Sequence, residues 1–459
     1  MANTDSAQPA SALATQGRIW AIAWPVMLSN ITVPLLGLVD SAILGHLPDA
    51  THLGAVAIGA QLFTMLCWSF GFLRMGTTAM AARSHNQQAQ HQSLLNALWL
   101  ALPLGIAVWL LGQWLLPLVL PWMGASDAVE SGAATYLAVR TASVPAVLMQ
   151  YCLLGWFIGR GDTRVPLVIM TVTNLVNGSL DALFVFGLGM TTDGVAWGSV
   201  IADWSGLLIG LWFAARSGAF EQWAGKSVGG IWSSRPDWPT LKPVIKVNHE
   251  LFVRTLTLLL VFAFFNAQGA QQGELVLATN SLIITMLLLI SNALDGIAHA
   301  AESLTGKALA GYRHNPSTTV TNVRNVLWIS GVNSMALASL MTLLFAAASD
   351  VIWPLLTNNH NLIAVIDQYQ HWLIWLPIIA CWSYWLDGLC IGAGATATMR
   401  NAMLAAALLV FVPLWWLLQE YGNSGLWISL YAFLLARAVF VIRFTFDLYR
   451  RPVNYVPAV

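Results

Sequence analysis

Ile158-Gly159-Arg160-Gly161-Asp162-Thr163 closes one long apolar run of this chain, and Ile391-Gly392-Ala393-Gly394-Ala395-Thr396 closes another, 233 residues later. Each run is longer than the roughly 20 apolar residues a helix needs to cross the hydrocarbon of a bilayer. Working outward from them, the sequence resolves into twelve such runs, at 17–43, 54–80, 94–118, 130–158, 165–189, 194–216, 241–267, 274–304, 320–346, 363–390, 398–419 and 424–448. The longest polar connection, 217–240, divides these into two sets of six, and each glycine motif ends the fourth run of its set. Six is even, so both halves enter the membrane in the same orientation. Parallel repeats of this kind form two bundles related by an axis along the membrane normal, with the substrate path between them. The predicted architecture is therefore an all-α membrane protein of twelve transmembrane helices in two six-helix lobes. It has a tail at 1–16, an N-lobe at 17–216, a linker at 217–240, a C-lobe at 241–449 and a second tail at 450–459.

Composition agrees. Of 459 residues, 58% are hydrophobic and 9% charged, and the mean hydropathy is +0.68. Soluble domains carry about 25% charged residues, so a soluble enzyme is excluded. The formal net charge is zero, which offers no general attraction to nucleic acid. Cys67, Cys152, Cys381 and Cys390 lie scattered without metal-ligand spacing, so neither a disulfide framework nor a metal is expected. The first 16 residues lack the basic start and apolar core of a cleavable signal.

Basic residues fix the orientation. Arg83, Arg160, Arg164, Lys226, Arg235, Lys242, Lys246, Lys307, Arg313, Arg400, Arg450 and Arg451 fall in alternate connections or at the end of the chain. The opposite connections hold acids instead: Asp49, Asp127, Glu130, Asp193, Glu274 and Glu420. The positive-inside rule then puts both termini and the linker in the cytoplasm.

Charges within the spans are functional candidates by default, because each is costly there. Asp40 lies toward the outer end of span 1; span 5 carries Asn174, Asn177 and Asp181, the last two sharing a helical face. Ser199 on span 6 sits at a similar depth. Two carboxyls brought together without a cation favour the protonated form, and Arg140 is the only nearby basic candidate in this half. The group reads as a proton or cation site, against a purely structural polar cluster. In the second half Glu250 and Arg254 form an i,i+4 pair, and Asp295 and Asp387 lie at a depth that meets them. There the structural reading, an ion-pair network, is preferred. In the register of the repeat Asp181 corresponds to Leu414, so the outer carboxyl site is not duplicated. Pro25 and Pro34 interrupt span 1 and are expected to kink it. The glycine motifs lack the lysine of a phosphate-binding loop, so no nucleotide or other cofactor is expected.

Several stretches resemble one family. WPVMLSNITVPLLGLVDSAILGHL (24–47), FLRMGTTAMAAR (72–83), GWFIGRGDTRVPL (155–167), NLVNGSLDALFVFGLG (174–189) and GVAWGSV (194–200) resemble multidrug and toxic compound extrusion (MATE) transporters, especially the DinF-type subgroup. ELFVRTLTLLLVFAFFNAQGAQQGE (250–274) and ALDGIAHAAESLTGKAL (293–309) look like the same subgroup. The resemblance implies a V-shaped twelve-helix exporter of cationic or amphipathic compounds, driven by a proton or sodium gradient. It puts Asp40, Asn177 and Asp181 on the first-lobe cation site, with Ser199 where the family often has threonine. The sodium-coupled subgroup's second-lobe carboxylates are not clearly matched.

The expectation is a proton-coupled antiporter of organic compounds in the bacterial inner membrane, acting as a monomer by alternating access. The alternatives are sodium coupling, or a flippase of lipid-linked sugars on a similar plan. A flippase would call for a cationic cavity, for which Arg254, Arg437 and Arg140 are the mid-depth candidates. An intramembrane enzyme would need a nucleophile–base or metal set, and no GxSxG or HExxH motif is present.

Overall fold

In lipid every backbone N–H and C=O must be satisfied within the protein, which leaves helices as the spanning form for long, non-alternating apolar runs. The computed structural model describes residues 15–45, 51–123, 125–221, 236–313, 316–356 and 359–456. Residues 1–14 of the predicted tail, residues 222–235 of the predicted linker and the last residues 457–459 lie outside that description. So do the side chains of 31–38, 41, 42, 45, 350, 355 and 356, including that of Pro34.

The described chain is helical almost throughout. Its helices are α1 Gln16–Gly45, α2 Thr51–Trp68, α3 Phe72–Ala82, α4 Gln87–Val119 and α5 Asp127–Arg140. After a 3₁₀ turn at Thr141–Ser143 come α6 Val144–Gly159, α7 Arg164–Ala182 with a π turn at Leu183–Gly187, and α8 Thr192–Arg216. The rest are α9 Trp238–Ala270, α10 Glu274–Ala310, α11 Pro316–Leu356, α12 His360–Ala393, α13 Thr396–Ala405, α14 Val412–Leu418 and α15 Gly422–Arg450. A second π turn, Ala406–Phe411, joins α13 to α14. Among the described residues ten stretches are long and apolar enough to cross a membrane, the last of them, Thr396–Arg450, covering the final two sequence-predicted runs. Helix α1 is a further 30-residue helix. It continues as helix through both Pro25 and Pro34. Two helix starts are capped from the sequence: the Asn86 side chain accepts from Ala89 N at 2.7 Å, and Asn359 accepts from Asn361 N and Leu362 N. Such caps satisfy backbone donors that the helix itself leaves orphaned.

The chain divides into two compact units, Leu28–Asn248 and Met1–Met27 with His249–Val459. It therefore changes unit inside α1 and inside α9, rather than between helices. The cause is local packing. Ile19, Ile22 and Ala23 at the start of α1 are buried with Ile297, Ala300 and Leu304 of α10 and Val326 of α11. Gly296 permits this approach, since a Cβ there would collide with the Ala23 carbonyl oxygen and with Met27. Gln16 and Trp20 both donate to Asn333 Oδ1, at 2.7 and 2.9 Å.

The two glycine motifs build the same corner, once in each unit. Gly161 and Gly394 adopt φ of 71° and 69°, the left-handed conformation that glycine reaches without steric cost. Asp162 N donates to Phe157 O and Gly161 N to Ile158 O; Ala395 N donates to Cys390 O and Gly394 N to Ile391 O. This is one helix-terminating pattern used twice. One turn back, Gly155 and Gly159 lie against the Arg74 and Thr78 carbonyls of α3, where a Cβ would overlap them. Gly388 and Gly392 stand in the same relation to the Ala298 and Glu302 carbonyls of α10. Lipid is as apolar as leucine, so helices in a bilayer associate through close backbone packing of this small-xxx-small kind.

Candidate functional site

Within the unit Leu28–Asn248, α7 and α8 pack side by side and bring four of the sequence-predicted polar groups together. Asn177 and Asp181, one turn apart on α7, are completely buried. They face α8 where it is narrowest: Gly198 leaves room for the Asp181 carboxyl, and a Cβ there would fall on its Oδ1. The next residue, Ser199, accepts a hydrogen bond from Asn177 Nδ2 at 3.1 Å. Asp40 of α1, also buried, lies within electrostatic reach of Asp181. An ionised carboxyl only accepts hydrogen bonds, so these two acids can bond to each other only when one of them is protonated. No donor group meets hydrogen-bond geometry at either Asp181 oxygen or at Asp40 Oδ1. Asn174 lies a turn from Asn177 on α7 and is half-buried. The arrangement is chemically able to hold and release protons.

Arg140 is near both carboxyls, yet its guanidinium is engaged elsewhere. Nη1 pairs with Asp203 Oδ2 of α8 at 2.5 Å and donates to Ser143 Oγ. The guanidinium also lies over the Phe63 ring, 3.9 Å from its centroid. Tyr136, buried one turn earlier on α5, lies beside it. Asp203 was not among the residues expected at the site, although its spacing from Ser199, four residues on α8, was a usable signal.

The other unit corrects one expectation. Glu250 and Arg254 do not pair, despite their i,i+4 spacing. Arg254 Nη2 binds Asp387 Oδ2 of α12 at 2.5 Å, and Arg437 Nη2 of α15 binds the same oxygen at 2.6 Å. Glu250 instead accepts from Thr396 Oγ1 at 2.5 Å, at the glycine corner, with Arg400 at 4.0 Å. Partners from other helices outcompete the neighbour on the same helix, because a pair along one helix gains only about 0.5 kcal/mol. Asp295 lies at the edge of this cluster, within electrostatic reach of Tyr384, which is in turn near Arg254 and Arg437. A buried contact not anticipated from sequence joins His299 Nδ1 to Glu302 Oε2 on α10, at 2.8 Å.

These helices and their buried ionisable groups define a polytopic integral-membrane protein. Residues 25–183 match the MatE family. Over 428 residues the chain is 34% identical to DNA damage-inducible protein F of Escherichia coli, a match covering 92% of this chain and 90% of that one. It is 25% identical to the probable multidrug resistance protein NorM of Geobacillus kaustophilus, covering 92% of this chain and 93% of the relative. In fold it is similar to the Vibrio cholerae MATE transporter VcmN in its bent form, with a TM-score of 0.81 at 19% identity, covering 98% of this chain and 99% of that one. The chain belongs to the multidrug and toxic compound extrusion family of membrane transporters, and among its members it is similar to the DinF protein.

Proposed function

We propose that this protein is a proton-coupled antiporter that exports cationic or amphipathic organic compounds by alternating access. The observation that carries the reading is the pair of buried acids, Asp40 and Asp181, within electrostatic reach of each other and with no hydrogen-bond donor on either Asp181 oxygen. A proton arriving from outside neutralises the pair; its loss leaves negative charge to which a cationic compound is attracted. Asp40, Asn177, Asp181 and Ser199 form the coupling group, with Asn174 beside them, and Pro25 and Pro34 weaken α1 as a moving part. The cluster of Glu250, Arg254, Asp295 and Asp387 is structural in this reading. The naming of the NorM relative as a probable multidrug resistance protein supports an efflux role.

The ten apolar stretches, helix α1 and the division of Thr396–Arg450 into two runs support twelve spans in two six-helix lobes. The shared corner supports an internal repeat. Both termini and the linker then face the cytoplasm of a bacterial cell, and the carrier works as a monomer in the inner membrane.

Sodium is the second reading. Asn177 Oδ1, like both Asp181 oxygens and Asp40 Oδ1, is buried without a hydrogen-bond donor, and such oxygens suit a hard cation. The flippase reading is weakened because Arg254 and Arg437 are both committed to Asp387. Transport of a fluorescent organic cation in proteoliposomes, under separately imposed proton and sodium gradients, is the test. Uptake driven by a pH gradient alone is expected. Uptake driven only by sodium would overturn the proton reading.

A further inference from the structure

A permanently charged guanidinium lies within electrostatic reach of the carboxyl pair, yet its ion pair is made with a third acid. Arginine keeps its charge at every pH a cell meets, so only geometry can hold Arg140 back. Asp203 supplies that geometry. Its Oδ2 takes Nη1 at 2.5 Å, while Ser143 Oγ accepts from the same nitrogen and Phe63 lies under the guanidinium plane. Asp203 is itself fixed: its backbone carbonyl accepts from Gln150 Nε2 of α6 at 2.5 Å. Standing one turn from Ser199, it belongs to the face of α8 that lines the site. Meanwhile neither oxygen of Asp181 receives a hydrogen bond.

We propose that Asp203 is a positioning residue that holds Arg140 off the Asp40–Asp181 pair, and so sets the pH range in which the pair exchanges protons. This rests on the proton-coupled reading. The other titratable or charged groups around the site among the described residues include Tyr136 and Arg140 from α5, Cys67 from α2, Tyr151 from α6 and, within reach of Tyr151, Arg74 from α3. Of these, Arg140 is the cation that reaches the two acids. With Asp203 neutral, the nearest carboxyls able to satisfy Arg140 are Asp40 and Asp181. An opposite charge brought against a carboxyl stabilises its ionised form by about one to three pH units. The pair would then take up protons only in more acidic medium.

The test is the pH profile of gradient-driven transport in proteoliposomes, measured on the full-length protein. Asp203→Asn is expected to move the profile acid by about one to three pH units. Asp203→Glu should bring it back, as should the double change Arg140→Gln with Asp203→Asn, which removes the cation along with its holder. A slower Asp203→Asn protein with the wild-type profile would reduce the ion pair to a structural tie, as would an acid shift that persists in the double variant. Should Asp203→Asn fail to fold, Arg140→Gln alone decides: it leaves Asp203 as a third acid near the pair, so the profile should move alkaline, and an unmoved profile overturns the proposal. If wild-type transport ignores a pH gradient altogether, the coupling reading itself fails, an outcome distinct from these.

Discussion

Gly198 of α8 and Asp181 of α7 meet so closely that a single added methyl group would occupy the position of the carboxyl oxygen. The Asp181 carboxyl is thus seated against bare backbone. A missing side chain is as much a part of the site as the side chains present.

The first prediction concerns that seat. Gly198→Ala should push the Asp181 carboxyl away from Asp40. Overpacking of this kind costs about 1–3 kcal/mol, which a folded membrane protein can absorb. Dye efflux should fall at least about tenfold, equivalent to about 1.4 kcal/mol, while the purified protein still folds. Efflux at the wild-type rate would show that the carboxyl contact is not needed for transport.

Asp40→Asn imitates the protonated acid permanently. The variant should insert and fold, since replacing a buried charged group by a neutral one of the same shape leaves stability unchanged or slightly raised. It should not cycle. Thermal melting alongside proton-driven efflux checks both halves, and undiminished efflux removes Asp40 from the coupling group.

Asp387 stands on the opposite side of this contrast. Asp387→Asn leaves Arg254 and Arg437 without the carboxylate they share, and breaking a buried pair in this way costs about 3–5 kcal/mol. Yield and melting temperature should drop, while whatever protein survives remains driven by a pH gradient. A variant of normal stability that had lost only its ion coupling would move the coupling site to the second unit.

The glycine corners are predicted to be equivalent. Gly155→Val and Gly388→Val each place a branched side chain on a carbonyl oxygen, of Arg74 or Ala298. Both should lower yield and melting temperature to a similar degree. Tolerance at one position and collapse at the other would show that the two corners do not carry the same packing.

Orientation has its own check. A cysteine placed at Gly230 in the linker should resist a membrane-impermeant reagent added to intact cells. Labelling from outside would invert the topology drawn from the basic residues.

Sequence alone determined the class of this protein, because hydropathy over 20-residue windows is a local property and a bilayer accepts only helices from such runs. It also exposed the repeated corner, since a left-handed cap demands glycine at the same place in both copies. Asp40, Asn177, Asp181 and Ser199 were legible because an intramembrane polar residue is rare enough to stand out. Tertiary structure decided which of these groups meet, and with whom the others pair. Arg254 follows Glu250 by one helical turn, yet it binds Asp387, 133 residues away. Arg140 was visible as a cation near the site, but not that Asp203 holds it. The start of α1 joins the unit formed mainly by the second half of the chain, although its sequence is continuous with the helix that bears Asp40. Even the comparison of Asp181 with Leu414 depends on three dimensions. The π turn follows Asp181 in one unit and precedes Leu414 in the other, and such a bulge adds a residue to the turn and rotates every later side chain. Sequence spacing describes one helix at a time; the partners that neutralise a charge or seat a carboxyl come from other helices, and only packing selects them.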